Sequence, residues 1–206
     1  LSAEDSSDSQ SLKANQKSSF SKLCDEMQGL VLQLATSCGK DVELVIAPGD
    51  CPIDLKTHAA LHAALVQILR NAIDHGIESP QDRITLGKAP RGRIDLSLEK
   101  NEDSISILIQ DDGAGLEREN LLLQARAAGF LEPGDRDCND EELYDFIFEH
   151  GFSIAAKGSA LSGCGVGLDI VRHRLKELGG RVCVKSKPGQ GCLFTLTLMN
   201  CHEKCC

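Results

Sequence analysis

Tryptophan is absent from this chain of 206 residues, and aromatic residues amount to only 3%. Proteins that grip single-stranded nucleic acid stack bases on aromatic platforms, so that mode has no material here. Positive charge is short as well: 22 Lys and Arg stand against 31 Asp and Glu, for a net charge of −9. A sequence-independent hold on phosphate backbones needs a basic surface, and this excludes it. No apolar run approaches the ~20 residues that cross a bilayer, and the polar, acidic start is no signal peptide. There are 10 cysteines but no CxxC pair. Several lie in apolar strand-like runs, Cys183 and Cys192 among them, where a thiol behaves as a small hydrophobe. The tail with Cys201, His202, Cys205 and Cys206 could ligate a soft metal or mimic a lipidation signal. With no second ligand cluster, it reads as solvated, reduced thiols in a cytosolic compartment.

What is present is ordinary for a globular domain: 41% hydrophobic and 26% charged residues, enough for one core plus an appendage. Residues 1–19 are rich in Ser, Asp, Gln and Lys and read as a disordered polar linker. The first residue is Leu rather than Met, and we expect a piece of a larger protein. A lead-in helix follows over 20–40, with Leu23, Met27, Leu30, Val31 and Leu34 on its apolar stripe. A single domain then spans 41–200, and 201–206 form the tail. Within that domain DVELVIA alternates as a strand. A long helix capped by Asp54 or Thr57 reaches Asp74, where Gly76 is expected to stop it. Ser79-Pro80-Gln81-Asp82 starts a short helix. Residues 91–110 form a hairpin that runs into DDGAG, and Asn139 caps another helix. A glycine-rich segment, 150–163, reads as a mobile loop before GCGVG and the last helix. RVCVKSKPGQGCLFTLTL closes the chain as two strands around a turn. Consecutive hairpins and single-striped helices predict an α/β two-layer sandwich, its largely antiparallel sheet covered on one face by helices.

Four pieces of this pattern could surround a phosphate-bearing ligand. On the long helix Gln67, Asn71, Asp74 and His75 share a polar stripe, and the amide of Asn71 suits a hard cation such as Mg²⁺. Asp111 ends a buried strand, where a carboxylate can accept a purine amino group while Gly113 and Gly115 let the ring approach the backbone. Gly163, Gly165 and Gly167 precede a helix N-terminus, whose bare N–H groups favour phosphate. The loop before them is a natural lid. Each piece alone has an ordinary alternative, since DDG is often only a turn and GxGxG often only permits close packing. Their order gives them weight.

RNAIDHGIESPQDR resembles the N box of chemotaxis-type (CheA-like) histidine kinases. DDGAGL resembles their G1 box, FEHGFSIAAK the F box and lid, SGCGVGLDIV the G2 box, and the last two strands their closing hairpin. The likeness covers about residues 41–198 and identifies the chain as a member of the GHKL superfamily, with its Bergerat-type fold. By that resemblance Asn71 holds Mg²⁺, Asp111 reads the adenine of ATP, and Gly113 and Gly115 floor the base pocket. Gly163, Gly165 and Gly167 cradle the phosphates, with Val166 and Leu168 between and after them. Asp74, His75, Ser153, Lys157 and Cys192 complete the ATP site, and Gln67, Asn71 and His75 carry the catalysis. The family passes the γ-phosphoryl group of ATP to a histidine on another domain. This implies a phosphotransfer or phosphoacceptor domain, a response regulator downstream and a full-length homodimer, and it leaves a membrane-anchored parent open. The chain departs from the family at Gln67, where a histidine is usual, at Cys164, where an arginine is, and at Cys192, where a hydroxyl residue is. These departures support an alternative: a nucleotide-binding pseudokinase module that signals through its lid and helices.

Overall fold

The computed structural model describes residues 17–132, 138–152 and 167–199. In chain order, β1 (Lys17–Ser19) leads into α1 (Phe20–Ser37), then β2 (Val42–Ile46), β3 (Pro52–Asp54) and α2 (Leu55–Asn71). A π-helical turn, Ala72–Gly76, extends α2. Next come α3 (Pro80–Thr85), β4 (Gly92–Lys100), β5 (Ser104–Asp111), α4 (Arg118–Ala127) and α5 (Asp140–Asp145), the last continued by a 3₁₀ turn at Phe146–Phe148. The chain ends with α6 (Asp169–Lys176), β6 (Arg181–Lys187) and β7 (Gly191–Met199).

Local chemistry explains the starts of these elements. Ser19 caps α1 by accepting from the Lys22 N–H, and Asp54 caps α2 by accepting from the Thr57 N–H. The Thr57 N–H, and then the Thr57 hydroxyl, hold the Asp54 carboxyl below its ordinary pKa. Ser79 caps α3 with Pro80 in the first turn, and Asn139 and Glu142 form a reciprocal capping box on α5. Within the stretch expected as a linker, Lys17–Ser19 form a strand. Lys17–Ser19 pair antiparallel with Pro52–Asp54, and this two-stranded ribbon delivers the chain to the α1 cap. Ribbon pairing is main-chain chemistry and leaves no side-chain period to read in three residues.

The five-stranded sheet has the order β2-β4-β5-β7-β6, parallel at β2–β4 and antiparallel elsewhere. Register carries one apolar row across every strand: Ile46, Leu96, Ile109, Phe194 and Val184. Helices α1, α2 and α6 pack on this face and complete the core with Phe20, Leu23, Met27, Leu65, Ile68, Leu69, Val171 and Leu175. The two-layer α/β architecture expected from the sequence is the one found. The next row toward the sheet's end differs in kind: Leu44 and Ile94 give way to Asp111, Cys192 and Ser186. That polar interruption of an apolar face marks the site. Among the described residues no helix is long and apolar enough to cross a membrane.

Candidate functional site

Strand parity puts Asp111 on the helix-covered face, where it is 4% exposed. Its Oδ1 accepts from the Gly113 N–H at 2.9 Å, and the Cys192 N–H also donates to the carboxylate. Burial in a low-dielectric row raises its pKa from 3.8 to about 6, against the opposing pull of those two N–H groups. At neutral pH the group is still ionised. An ionised carboxyl is acceptor-only with about four lone-pair sites, so two main-chain donors leave it with acceptor capacity to spare.

The wall facing Asp111 is the end of α2. Asn71 is the last α-helical residue, and beyond it the hydrogen bond closes from the Ile77 N–H back to the Ala72 carbonyl at 2.7 Å, an i→i+5 step. Such π turns are rare and gather at functional sites. Here the turn corrects one expectation, the place of Asp74. The helical run does end at Gly76, as expected. The φ of this glycine is not positive, and it contributes a bare carbonyl that accepts from the Ala114 N–H at 2.8 Å. The wider turn takes Asp74 off the stripe of Gln67 and Asn71. Its carboxylate faces α1, accepting from the Cys38 Sγ at 3.0 Å. Lys40 fastens the same turn from outside, donating to the carbonyls of Ile73 at 2.5 Å and Asp74 at 2.9 Å. Asn71 and Gln67 are half-buried, and among the described residues neither amide has a hydrogen-bond partner; His75 is exposed.

Gly113 and Gly115 are needed for closeness, and what comes close is the chain itself. A Cβ at Gly113 would lie 2.3 Å from the Gly76 carbonyl oxygen, and one at Gly115 would lie 2.6 Å from that of Lys187. Cys192 stands beside Asp111, with its thiol pushed up to about 12 by burial and then by the Asp111 charge. It therefore stays a neutral, weak donor. Its nearest polar neighbour is the Ser186 hydroxyl at 3.4 Å, which accepts from the Leu116 N–H and donates to the Gly191 carbonyl. Gly167 and Leu168 lead into α6, and Leu168 at the cap position supplies no side-chain acceptor. Ser153, Lys157, Gly163, Cys164, Gly165 and Val166 lie outside the described residues.

Sequence reasoning passed over several residues that build this wall. Gly191, read only as part of a turn, has φ +88° and sits so close that a Cβ would fall 1.9 Å from the Asp111 carbonyl oxygen. The two glycines of KPGQG were the available signal. Asp112, Glu78, Arg83 and Lys88 form a charged cluster beneath the DDGAG turn, with Arg83 only 1% exposed. Nothing local announces a buried arginine on a six-residue helix. The completed arrangement offers a buried acceptor at one end and, at the other, a half-buried amide without a partner among the described residues. Such a pair suits a ligand with an amino-bearing ring and a metal-binding anionic tail.

Residues 59–200 match the model of the family described as histidine kinase-, DNA gyrase B-, and HSP90-like ATPase. Over 172 residues the chain is 39% identical to the chemotaxis protein CheA of Rhizobium meliloti (strain 1021), an alignment covering 84% of this chain and 23% of that protein. Against the chemotaxis protein CheA of Bacillus subtilis (strain 168) it is 38% identical over 170 residues, 82% of this chain and 25% of that one. The chain thus spans about a quarter of the length of the curated relatives it matches. Among solved structures, the mycobacterial sensor histidine kinase MprB shares the fold, with a TM-score of 0.54 and 16% identity over 90% of this chain and 97% of that one.

Proposed function

This chain belongs to the histidine kinase-, DNA gyrase B-, and HSP90-like ATPase family, and from that premise we propose that it is the ATP-binding domain of a chemotaxis-type histidine kinase. The domain binds Mg-ATP and presents the γ-phosphoryl group to a histidine on a phosphoacceptor domain or partner, from which a response regulator receives it. The parent protein is a homodimer, and this domain works in the cytosol. Asp111 carries the reading: a buried carboxylate held, among the described residues, by main-chain N–H groups suits the exocyclic amino group of adenine. Asn71 is the magnesium ligand. Its unpartnered amide oxygen fits a hard cation that keeps most of its waters. The metal, when bound, neutralises charge on the phosphate tail. Gln67 hydrogen-bonds a phosphate or a water, and His75 lies toward the tail. Gly163, Gly165 and Gly167 cradle the phosphates ahead of α6, and Ser153 and Lys157 meet them from the lid.

Calorimetric titration with ADP and a non-hydrolysable ATP analogue, with and without Mg²⁺, tests this. Wild type should bind both; Asp111→Ala should lose at least about tenfold in affinity, the scale of an orphaned hydrogen bond. Asn71→Ala should lose the dependence on Mg²⁺. Absence of binding by the wild type would sink the reading. Gln67 supports the second possibility, nucleotide binding without efficient transfer, because an amide cannot accept a proton. Tight Mg-ATP binding with no label passed to the cognate histidine domain, unchanged in Gln67→His, would select it.

A further inference from the structure

The second aspartate of DDGAG has every polar group engaged on the side away from the pocket. The Arg83 Nη2 donates to its Oδ2 at 2.6 Å and Nη1 to its Oδ1 at 3.1 Å, while the Arg93 N–H donates to the same Oδ1 at 2.9 Å. The Asp112 N–H goes to the Arg93 carbonyl at 3.1 Å. Its own carbonyl takes Lys88 Nζ at 3.0 Å and Arg83 Nη1 at 3.3 Å, and Lys88 reaches the next carbonyl, that of Gly113, at 2.8 Å. Both cations also bind Glu78, Arg83 through Nη1 at 3.1 Å and Lys88 at 2.6 Å. The last Arg83 donor, Nε, is held by the Ala89 carbonyl at 2.7 Å.

Two features set this cluster apart from a simple staple. A buried ion pair is weak evidence for stability, because desolvation offsets its attraction. Its remaining use is to select one geometry. Moreover, the charged donors go to the two main-chain carbonyls immediately after Asp111, and Glu78 closely follows the π turn that begins just after Asn71. We propose that Arg83, with Lys88, is a positioning residue: it fixes the main chain on either side of the pocket so that the Asp111 carboxylate is held in register for the purine amino group. The inference rests on the reading of Asp111 given above. It names the determinant of adenine selectivity outside the pocket itself.

The test compares ADP with inosine diphosphate, which lacks the amino group, by calorimetry on Asp111→Asn, Arg83→Met, Lys88→Met and Met27→Ala. The last is a core variant remote from the turn and controls for lost stability. Wild type should favour ADP by at least about tenfold, the scale of one amino–carboxylate hydrogen bond. Arg83→Met should shrink the preference to within about threefold, since partial misplacement forfeits most of such a bond, and Met27→Ala should keep it whole. Should Arg83→Met fail to fold, Lys88→Met decides, because it takes the ammonium away from both carbonyls, leaving Arg83 Nη1 on that of Asp112, and keeps the buried guanidinium paired. Folded Arg83 or Lys88 variants with undiminished preference would overturn the inference while leaving the Asp111 reading intact. A wild type without preference would overturn that reading first, and the inference with it.

Discussion

Replacing Asp111 by Asn should stabilise the protein most at high pH and disarm it at every pH. In the folded state burial holds the Asp111 carboxyl at about 6, whereas its ordinary value is 3.8. Below 3.8 both folded and unfolded chains carry the proton and no penalty arises. As the pH rises the unfolded chain ionises first, so stability falls until the folded carboxyl has ionised too. The gap between 3.8 and about 6 corresponds to roughly 3 kcal/mol of lost stability at pH 8, about half of which is regained by pH 5. Asn keeps an acceptor for the Gly113 N–H but leaves the Cys192 N–H a poorer partner, an offset of about 1 kcal/mol or more that does not vary with pH. Urea unfolding of both proteins should therefore show the variant's advantage shrinking by about 1.5 kcal/mol between pH 8 and pH 5. Nucleotide affinity should run the other way. The ionised carboxylate is much the stronger acceptor for the adenine amino group, so the wild-type Kd for ADP should rise by up to about tenfold from pH 7 to pH 5 beyond the change seen in Asp111→Asn. Titration of the phosphates is common to both proteins and cancels in that ratio. A stability difference and a Kd ratio that are both flat across this range would refute the buried, ionising carboxylate.

Other perturbations probe the remaining walls. Gly191→Ala places a methyl group 1.9 Å from the Asp111 carbonyl at a φ of +88°, and thermal unfolding should show a loss of about 3 kcal/mol or more, or no folded protein. Lys40→Met orphans the Ile73 and Asp74 carbonyls at the end of the π turn. It should cost about 1–3 kcal/mol in urea and weaken Mg²⁺-dependent binding more than metal-free binding. Cys192→Ser puts a stronger donor beside Asp111 and should raise ADP affinity a few-fold by calorimetry, roughly one neutral hydrogen bond.

The sequence was most legible where a period or a cap carries the information. The α1 stripe, the Asp54, Ser79 and Asn139 caps and the alternation in both hairpins depend on neighbours within about one turn, and the structure has them where the spacing put them. Alternation along SISILIQD even implies that Asp111 shares a face with Ile107 and Ile109, which is why its burial could be expected. The π turn was invisible because AIDHG carries the same side chains whether its hydrogen bonds close over four residues or five. The cluster of Glu78, Arg83, Lys88 and Asp112 was illegible for a different reason. Its members come from a loop, a short helix and a strand end, and only the folded chain brings their charges together. Lys40 belongs with them, since its partners are carbonyls, which have no sequence signature.

These hidden contacts decide what the chain's departures from its family pattern can affect. Between the π turn after Asn71 and Asp111 the connection is almost wholly main chain. The Gly76 carbonyl seats against Gly113, the Gly113 N–H holds the Asp111 carboxylate, and Gly191 lies against the Asp111 carbonyl. Packing at such distances leaves no room for a side chain at Gly113 or Gly191 and uses neither Gln67 nor Cys192, so the spacing of the pocket survives Gln in place of His at Gln67 and a thiol at Cys192. What those two residues alter is the chemistry offered inside the frame: a proton acceptor in the first case, a strong hydrogen-bond donor in the second. On the proposed reading, nucleotide binding draws on the frame and on Asp111, while phosphoryl transfer needs in addition the groups around the phosphate tail. Binding can then be intact in a chain whose transfer is slow.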